Sequence, residues 1–274
     1  MEALAASTAV DVRRFLRRAA ERLRAPLAGW KGPLRYGVDL GTATIVVCAV
    51  DRSGEPVYWD FLPERAVRDG VVVDFHGAVR AVRELKHRAE RDLGVPVEEA
   101  ATAHPPGVPV DDCRACGYVL QQAGIECRML TDEISAAQSL LNVSSGAIVD
   151  VGGGSTGVGV FQDGELTLLS DRPGGGYHLD LILAGALGIA VEEAEARKRL
   201  CQADYLEILR PGVERIAISI RQQCGRVVPS AVHIAGGALM LPGADQVIER
   251  YLGWPTIAYP HAHLITPFGI TVSC

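Results

Sequence analysis

With 274 residues, 48% hydrophobic and 5% aromatic, the chain has apolar material for one large core or two moderate ones. Its net charge of -6 and pI near 5.7 exclude a general nucleic-acid binder, which needs a concentrated excess of Lys and Arg. No apolar run is long enough for a membrane-spanning helix or a secretory signal, and the seven cysteines follow no disulfide framework, so reduced thiols and a cytoplasmic location are expected.

In chain order, residues 1–33 stand apart. Arg13, Arg14, Arg17, Arg18, Arg22 and Arg24 alternate with Val12, Phe15, Leu16, Ala19, Ala20 and Leu23 at helical spacing, and Gly29 and Pro33 then break the pattern. The expectation is a basic amphipathic helix on a short linker, docked on a partner, an acidic surface or the chain's own body. Lobe I is expected over residues 34–144. It starts as a meander of strands at 36–40, 44–50 and 57–61, with a turn at 51–54. A strand at 70–74 and a helix at 78–93, stopped by Gly94, come next. A strand at 100–103 and helices at 111–123 and 132–141 complete the lobe. Cys113 and Cys116 form one C-x-x-C, but no second pair follows at zinc-site spacing.

Lobe II is expected over residues 145–274, and it opens by repeating the first pattern. Ile148-Val149-Asp150-Val151-Gly152-Gly153-Gly154-Ser155 follows the logic of Gly37-Val38-Asp39-Leu40-Gly41-Thr42, 111 positions earlier, and a second strand and a turn follow each. This predicts a duplicated lobe. Then come a strand at 166–169, the run Pro173-Gly174-Gly175-Gly176, and helices at 177–187, 191–201 and 203–223. A strand at 231–235, the Gly236-Gly237 turn, a helix at 242–252 and a strand at 255–258 close the lobe, and a terminal helix from about 266 is expected to pack back on lobe I.

Two facing Asp-x-Gly hairpins imply a particular chemistry. Carboxylates about 4 Å apart repel by roughly 4 kcal/mol at an effective dielectric of 20, so a cation belongs between them. Mg2+ suits the position, because it keeps its waters and is held by one or two carboxylates together with substrate phosphates. The glycines open backbone N–H groups to a phosphate, and Thr42 and Ser155 add hydroxyls. Gly152-x-Gly154-x-x-Gly157 matches the dinucleotide fingerprint in letters only, since residues 158–161 alternate like a strand and open no helix. No G-x-x-x-x-G-K-[ST] occurs.

Asp39-Leu40-Gly41-Thr42 resembles the first phosphate motif of the actin, DnaK and sugar-kinase superfamily, and residues 150–155 resemble its second. Residues 131–137 are similar to a connecting helix of DnaK-type chaperones, His233-Ile234-Ala235-Gly236-Gly237 to the adenosine motif, and Pro267-Phe268-Gly269-Ile270 to the second connection. Within that superfamily, residues 68–75, Pro105-Pro106-Gly107 and Glu192-Glu193-Ala194-Glu195 resemble the EutJ family of ethanolamine-utilisation proteins.

The resemblance implies an α/β protein of two ribonuclease-H-like lobes, in the manner of actin-like ATPases, with a nucleotide cleft between them. It further implies ATP and Mg2+ as ligands, a bacterial microcompartment setting and a chaperone-like, slow ATPase activity. An ethanolamine-utilisation enzyme or a shell protein is the implied partner. Asp39 and Asp150 would hold Mg2+ through water, with Glu133 positioning the attacking water. Gly41, Thr42, Thr44, Gly152, Gly153, Gly154 and Ser155 would bind phosphates. Glu195, Lys198, Arg199, Gly236 and Gly237 would lie along the adenosine.

The pattern departs from the chaperones in two respects. No residue matches their lysine at the terminal phosphate, since Lys86 falls on a predicted helix, and Ala238-Leu239-Met240 lacks their polar residues beside the nucleotide. A non-hydrolysing scaffold that recruits partners through the N-terminal helix is therefore the alternative expectation, and a small-molecule kinase is a third.

Overall fold

The structure, a computed structural model, describes residues 2–68, 71–107, 110–200 and 202–274. It falls into two compact units, one of residues 1–142 with 264–274 and one of residues 143–263.

The first unit opens with helix α1 (Glu2–Ala20). The meander follows as β1 (Arg35–Leu40), β2 (Thr44–Val50) and β3 (Pro56–Pro63). The remaining elements up to the crossing are β4 (Val67–Arg68), β5 (Val71–Val72), α2 (Phe75–Leu93), β6 (Glu99–His104), α3 (Val110–Gln122), β7 (Glu126–Asp132) and α4 (Glu133–Leu141). Five strands make one mixed sheet in the order β3-β2-β1-β6-β7, antiparallel through the meander and parallel from β1 to β7. The alternation of β-branched residues puts Val38, Val47 and Ala49 in a core with Val82 and Leu85 of α2 and Val119 and Leu120 of α3.

The expected strand at 70–74 is only the two-residue β5; Asp69 and Gly70 lie outside the described residues, and Asp74 instead caps α2, accepting from Gly77 N at 2.8 Å. Strand β7 was not expected. Its sequence shows no apolar alternation because it is an exposed edge strand, specified by backbone pairing with β6.

The second unit contains β8 (Gly146–Val151), β9 (Ser155–Gln162), β10 (Glu165–Pro173), α5 (Gly176–Leu187), α6 (Val191–Leu200), α7 (Leu206–Cys224), β11 (Val232–Ala235), α8 (Ala244–Leu252) and β12 (Thr256–Ala258). Its sheet runs β10-β9-β8-β11-β12, again antiparallel through the meander and then parallel. The two sheets therefore have one topology. Val149 and Val160 pack there with Leu179 and Leu183 of α5, Val213 and Ile220 of α7, and Ile248 of α8. Cys201, the expected end of the helix at 191–201, lies outside the described residues.

The last helix, α9 (Ile265–Ser273), belongs to the first unit. Arg35 Nη1 donates to the carbonyls of Val272 and Cys274, both at 3.0 Å, and Ile270 packs on Ala101, Ala103 and Ala136. Helix α1 also lies on this unit. Leu16 and Ala19 are fully enclosed, Phe15 meets Phe268 edge-on at 5.4 Å, and Trp59 Nε1 donates to Ala19 O at 2.9 Å. Past the helix, Arg24 N donates to Trp59 O at 2.9 Å and Trp59 N to Arg22 O at 3.1 Å, which continues the sheet beyond the edge of β3. Val12, Leu16 and Ala19 of the apolar stripe are thus spent on the chain's own body, while Leu23 stays exposed. No helix of the described residues is long and apolar enough to cross a membrane.

Candidate functional site

In the first unit, β1 carries Asp39 as its last residue but one, paired with Val46, and Gly41, Thr42 and Ala43 make the turn into Thr44 of β2. These turn residues are half-buried. Strand β7 delivers Asp132 to the start of α4, where its carboxylate accepts from Ser135 N at 2.9 Å and Ser135 Oγ at 2.6 Å. This cap fixes Glu133 as the first helical residue.

Asp39 and Glu133 share a neighbour. Burial pushes the Cys116 thiol up to about 12, and Cys113, Glu133 and Asp39 add to the rise, so both carboxylates lie within electrostatic reach of one point on α3. A thiol held protonated in this way is a poor nucleophile and a poor metal ligand. No group of three or more His, Cys, Asp or Glu side chains among the described residues is placed to hold a metal ion.

In the second unit, Asp150 is likewise the last residue but one of its strand, paired with Gly157 on one side and Ala235 on the other, and only 8% of it is exposed. The turn from Gly152 to Ser155 rests on the glycine run before α5. Gly174 N donates to Gly154 O at 2.8 Å, Gly176 N to Gly152 O at 2.9 Å and Tyr177 N to Gly153 O at 2.9 Å. Three successive carbonyls therefore face α5. No peptide among the described residues is cis, and in a trans peptide the N–H points opposite to the C=O, so the amides of Gly153, Gly154 and Ser155 face the other way together. Such a row of convergent donors is a site for an anion. Gly175 makes this stacking possible, since a Cβ there would sit 3.0 Å from Ser155 O and 3.1 Å from the Gly153 carbonyl carbon.

The adenosine-motif residues are close by in the same sheet. Gly236 has φ +84° and its N–H donates to Ala262 O at 3.2 Å, while Gly237 is exposed. A cavity of about 220 Å3 is lined by Leu239, Met240, Asp245, Tyr259 and His261, among others. His263 Nδ1 lies 3.1 Å from Met240 Sδ and His233 Nδ1 lies 2.7 Å from the Tyr259 hydroxyl; burial lowers both imidazoles to about 4, so they are neutral.

Of the helix residues expected beside adenosine, Glu195 and Arg199 pair with each other at 2.6 Å on α6. Lys198 does not join them. It is buried, with Nζ 2.6 Å from Asp180 Oδ1 and 3.2 Å from Gly176 O. Asp180 was missed in the sequence, where it stands in no motif, and Asp132 stood in the motif at 131–137 without being assigned its capping role. The chain has three lysines in all: Lys31 on the N-terminal linker, Lys198, and Lys86, which donates to Gly124 O at 2.7 Å.

No protein-family model matches the chain. The ethanolamine utilization protein EutJ of Escherichia coli K12 is 35% identical over 247 residues, which is 90% of this chain and 88% of that protein. The crystal structure of EutJ from Carboxydothermus hydrogenoformans matches with a TM-score of 0.91 and 37% identity, covering 96% of this chain and 99% of that one. MreB5 of Spiroplasma citri, in a crystal structure bound to ADP, matches with a TM-score of 0.70 at 16% identity, over 86% of this chain and 94% of that one. The two sheets of common topology are thus the two lobes of an actin-like ATPase fold. On the identity and coverage of its relatives, the chain belongs to the EutJ family of ethanolamine utilisation proteins.

Proposed function

We propose that the chain binds Mg-ATP through its two Asp-x-Gly hairpins and hydrolyses it slowly, as a chaperone-like ATPase of ethanolamine utilisation. Its nucleotide-dependent change of conformation is read by a protein partner, either an ethanolamine-utilisation enzyme or a microcompartment shell protein. The observation that carries this reading is the row of amides at Gly153, Gly154 and Ser155 beside the nearly buried Asp150. An anion there is held by backbone donors, and a carboxylate next to it requires a cation in between.

Asp39 and Asp150 would hold Mg2+ through its waters, and the cation would offset the charge that develops on the transferring phosphoryl group. Gly41, Thr42 and Thr44 would supply the first hairpin's share of phosphate contacts. Glu133, held in place by the Asp132 cap, orients the attacking water and accepts its proton. A ligand of this kind acts on a partner only through its different affinity for two conformations, which makes hydrolysis a timer. Association with a microcompartment follows from the partner rather than from any membrane segment.

The second reading, a nucleotide-binding scaffold without turnover, is favoured by the lysines. Lys86 and Lys198 are engaged elsewhere, and Lys31 lies on the linker. Single-turnover measurement with labelled ATP separates the two. The ATPase reading expects phosphate release that Asp150→Ala abolishes, and the scaffold reading expects tight binding with no release.

A further inference from the structure

A buried ion pair seldom adds net stability, because removing both charges from water costs about as much as their attraction returns. Asp180 of α5 and Lys198 of α6 form such a pair, with Asp180 5% and Lys198 8% exposed. Its place in the fold gives it another use. Lys198 Nζ also donates to Gly176 O, at the first residue of α5. The N–H of the same residue donates to Gly152 O, and the next N–H donates to Gly153 O. Lys198 therefore grips from below the residues that turn the carbonyls of the second hairpin downward and its amides outward. The same helix carries the Glu195–Arg199 pair, whose charges also reach Asp180.

We infer that Lys198, locked by Asp180, is a positioning residue for phosphate binding, holding the Gly152–Ser155 amide row in register from α6; this rests on the nucleotide reading above. The lysine touches no ligand. It acts through Gly176, so its loss relaxes the three bonds beneath the hairpin and scatters donors that must converge on one anion. Burial raises the Asp180 carboxyl above the usual carboxylate range, and the Lys198 ammonium opposes that rise.

The test compares ADP with adenosine, which lacks the phosphates, on the full chain by titration calorimetry with Mg2+ present. The variant Asp180→Asn with Lys198→Met removes both charges at near-constant volume, so that no bare charge is left inside. It should melt cooperatively without nucleotide and bind adenosine as the wild type does. Its ADP affinity should fall about tenfold, the equivalent of one charged hydrogen bond. Asp180→Asn alone, which frees the lysine, is the second variant if the pair fails to fold, and its ADP-to-adenosine affinity ratio should fall in the same direction. An unchanged ratio in a folded variant, with wild-type ADP binding intact, overturns the positioning role alone. A wild type that binds neither ligand overturns the nucleotide reading, and the positioning role with it.

Discussion

The Asp150 carboxylate lies directly against Gly236, so that a Cβ added to Gly236 would overlap Asp150 Oδ1 and sit 2.7 Å from the Val151 carbonyl carbon. Residues 86 positions apart are thereby fitted together, the strand-end carboxylate of one expected motif against the turn of another. Gly236→Ala would meet both a positive φ and this overlap, at a cost of about 3 kcal/mol. Urea denaturation measures the loss, and Mg-ADP affinity should fall further than the stability change alone explains, because Asp150 is pushed aside.

Asp132→Ala removes the cap of α4. The expected loss is about 1 kcal/mol of stability. Since Glu133 then loses its fixed place, single-turnover phosphate release should slow while ADP affinity stays near the wild-type value.

Leu16→Ala opens a hole under α1, where Leu16 is fully enclosed, and should cost about 3 kcal/mol in chemical denaturation. Arg14→Ala, on the exposed side of the same helix, should change stability by less than about 0.5 kcal/mol. Equal effects of the two would contradict the docking of α1 on its own unit.

Stability should also depend on pH through His233. Its folded pKa of about 4 is below the unfolded value near 6.5, so the unfolded chain binds the extra proton between these limits. Stability is full above about 6.5 and declines as pH falls towards 4, by up to about 3 kcal/mol from this group. His233→Asn, which retains an acceptor for Tyr259, should flatten that decline in melting temperature.

What the sequence displayed depended on how locally each feature is encoded. The Asp39 and Asp150 hairpins were legible because strand alternation, a turn and glycines all fall within some twenty residues. Helix α2 was visible from its apolar periodicity and from Gly94, which stops it. Strand β7 was hidden because an exposed edge strand has no apolar face to reveal. The stripe on α1 showed that the helix must dock, but Trp59 and Phe268, on which it docks, are selected by tertiary packing. Lys198 was expected along the adenosine from its motif, and only the fold brings Asp180, on another helix, against it.

The central claim is that Asp39 and Asp150 serve one Mg-nucleotide, and thermal melting with and without Mg-ATP tests it most directly. At about one hundred times the dissociation constant, the ligand should add roughly 2.7 kcal/mol to the folded state. The account predicts a clear rise in melting temperature for the wild type, abolished by Asp39→Ala and by Asp150→Ala alike. A wild-type melting temperature indifferent to ATP, ADP and Mg2+, or a rise that survives both substitutions, would contradict it.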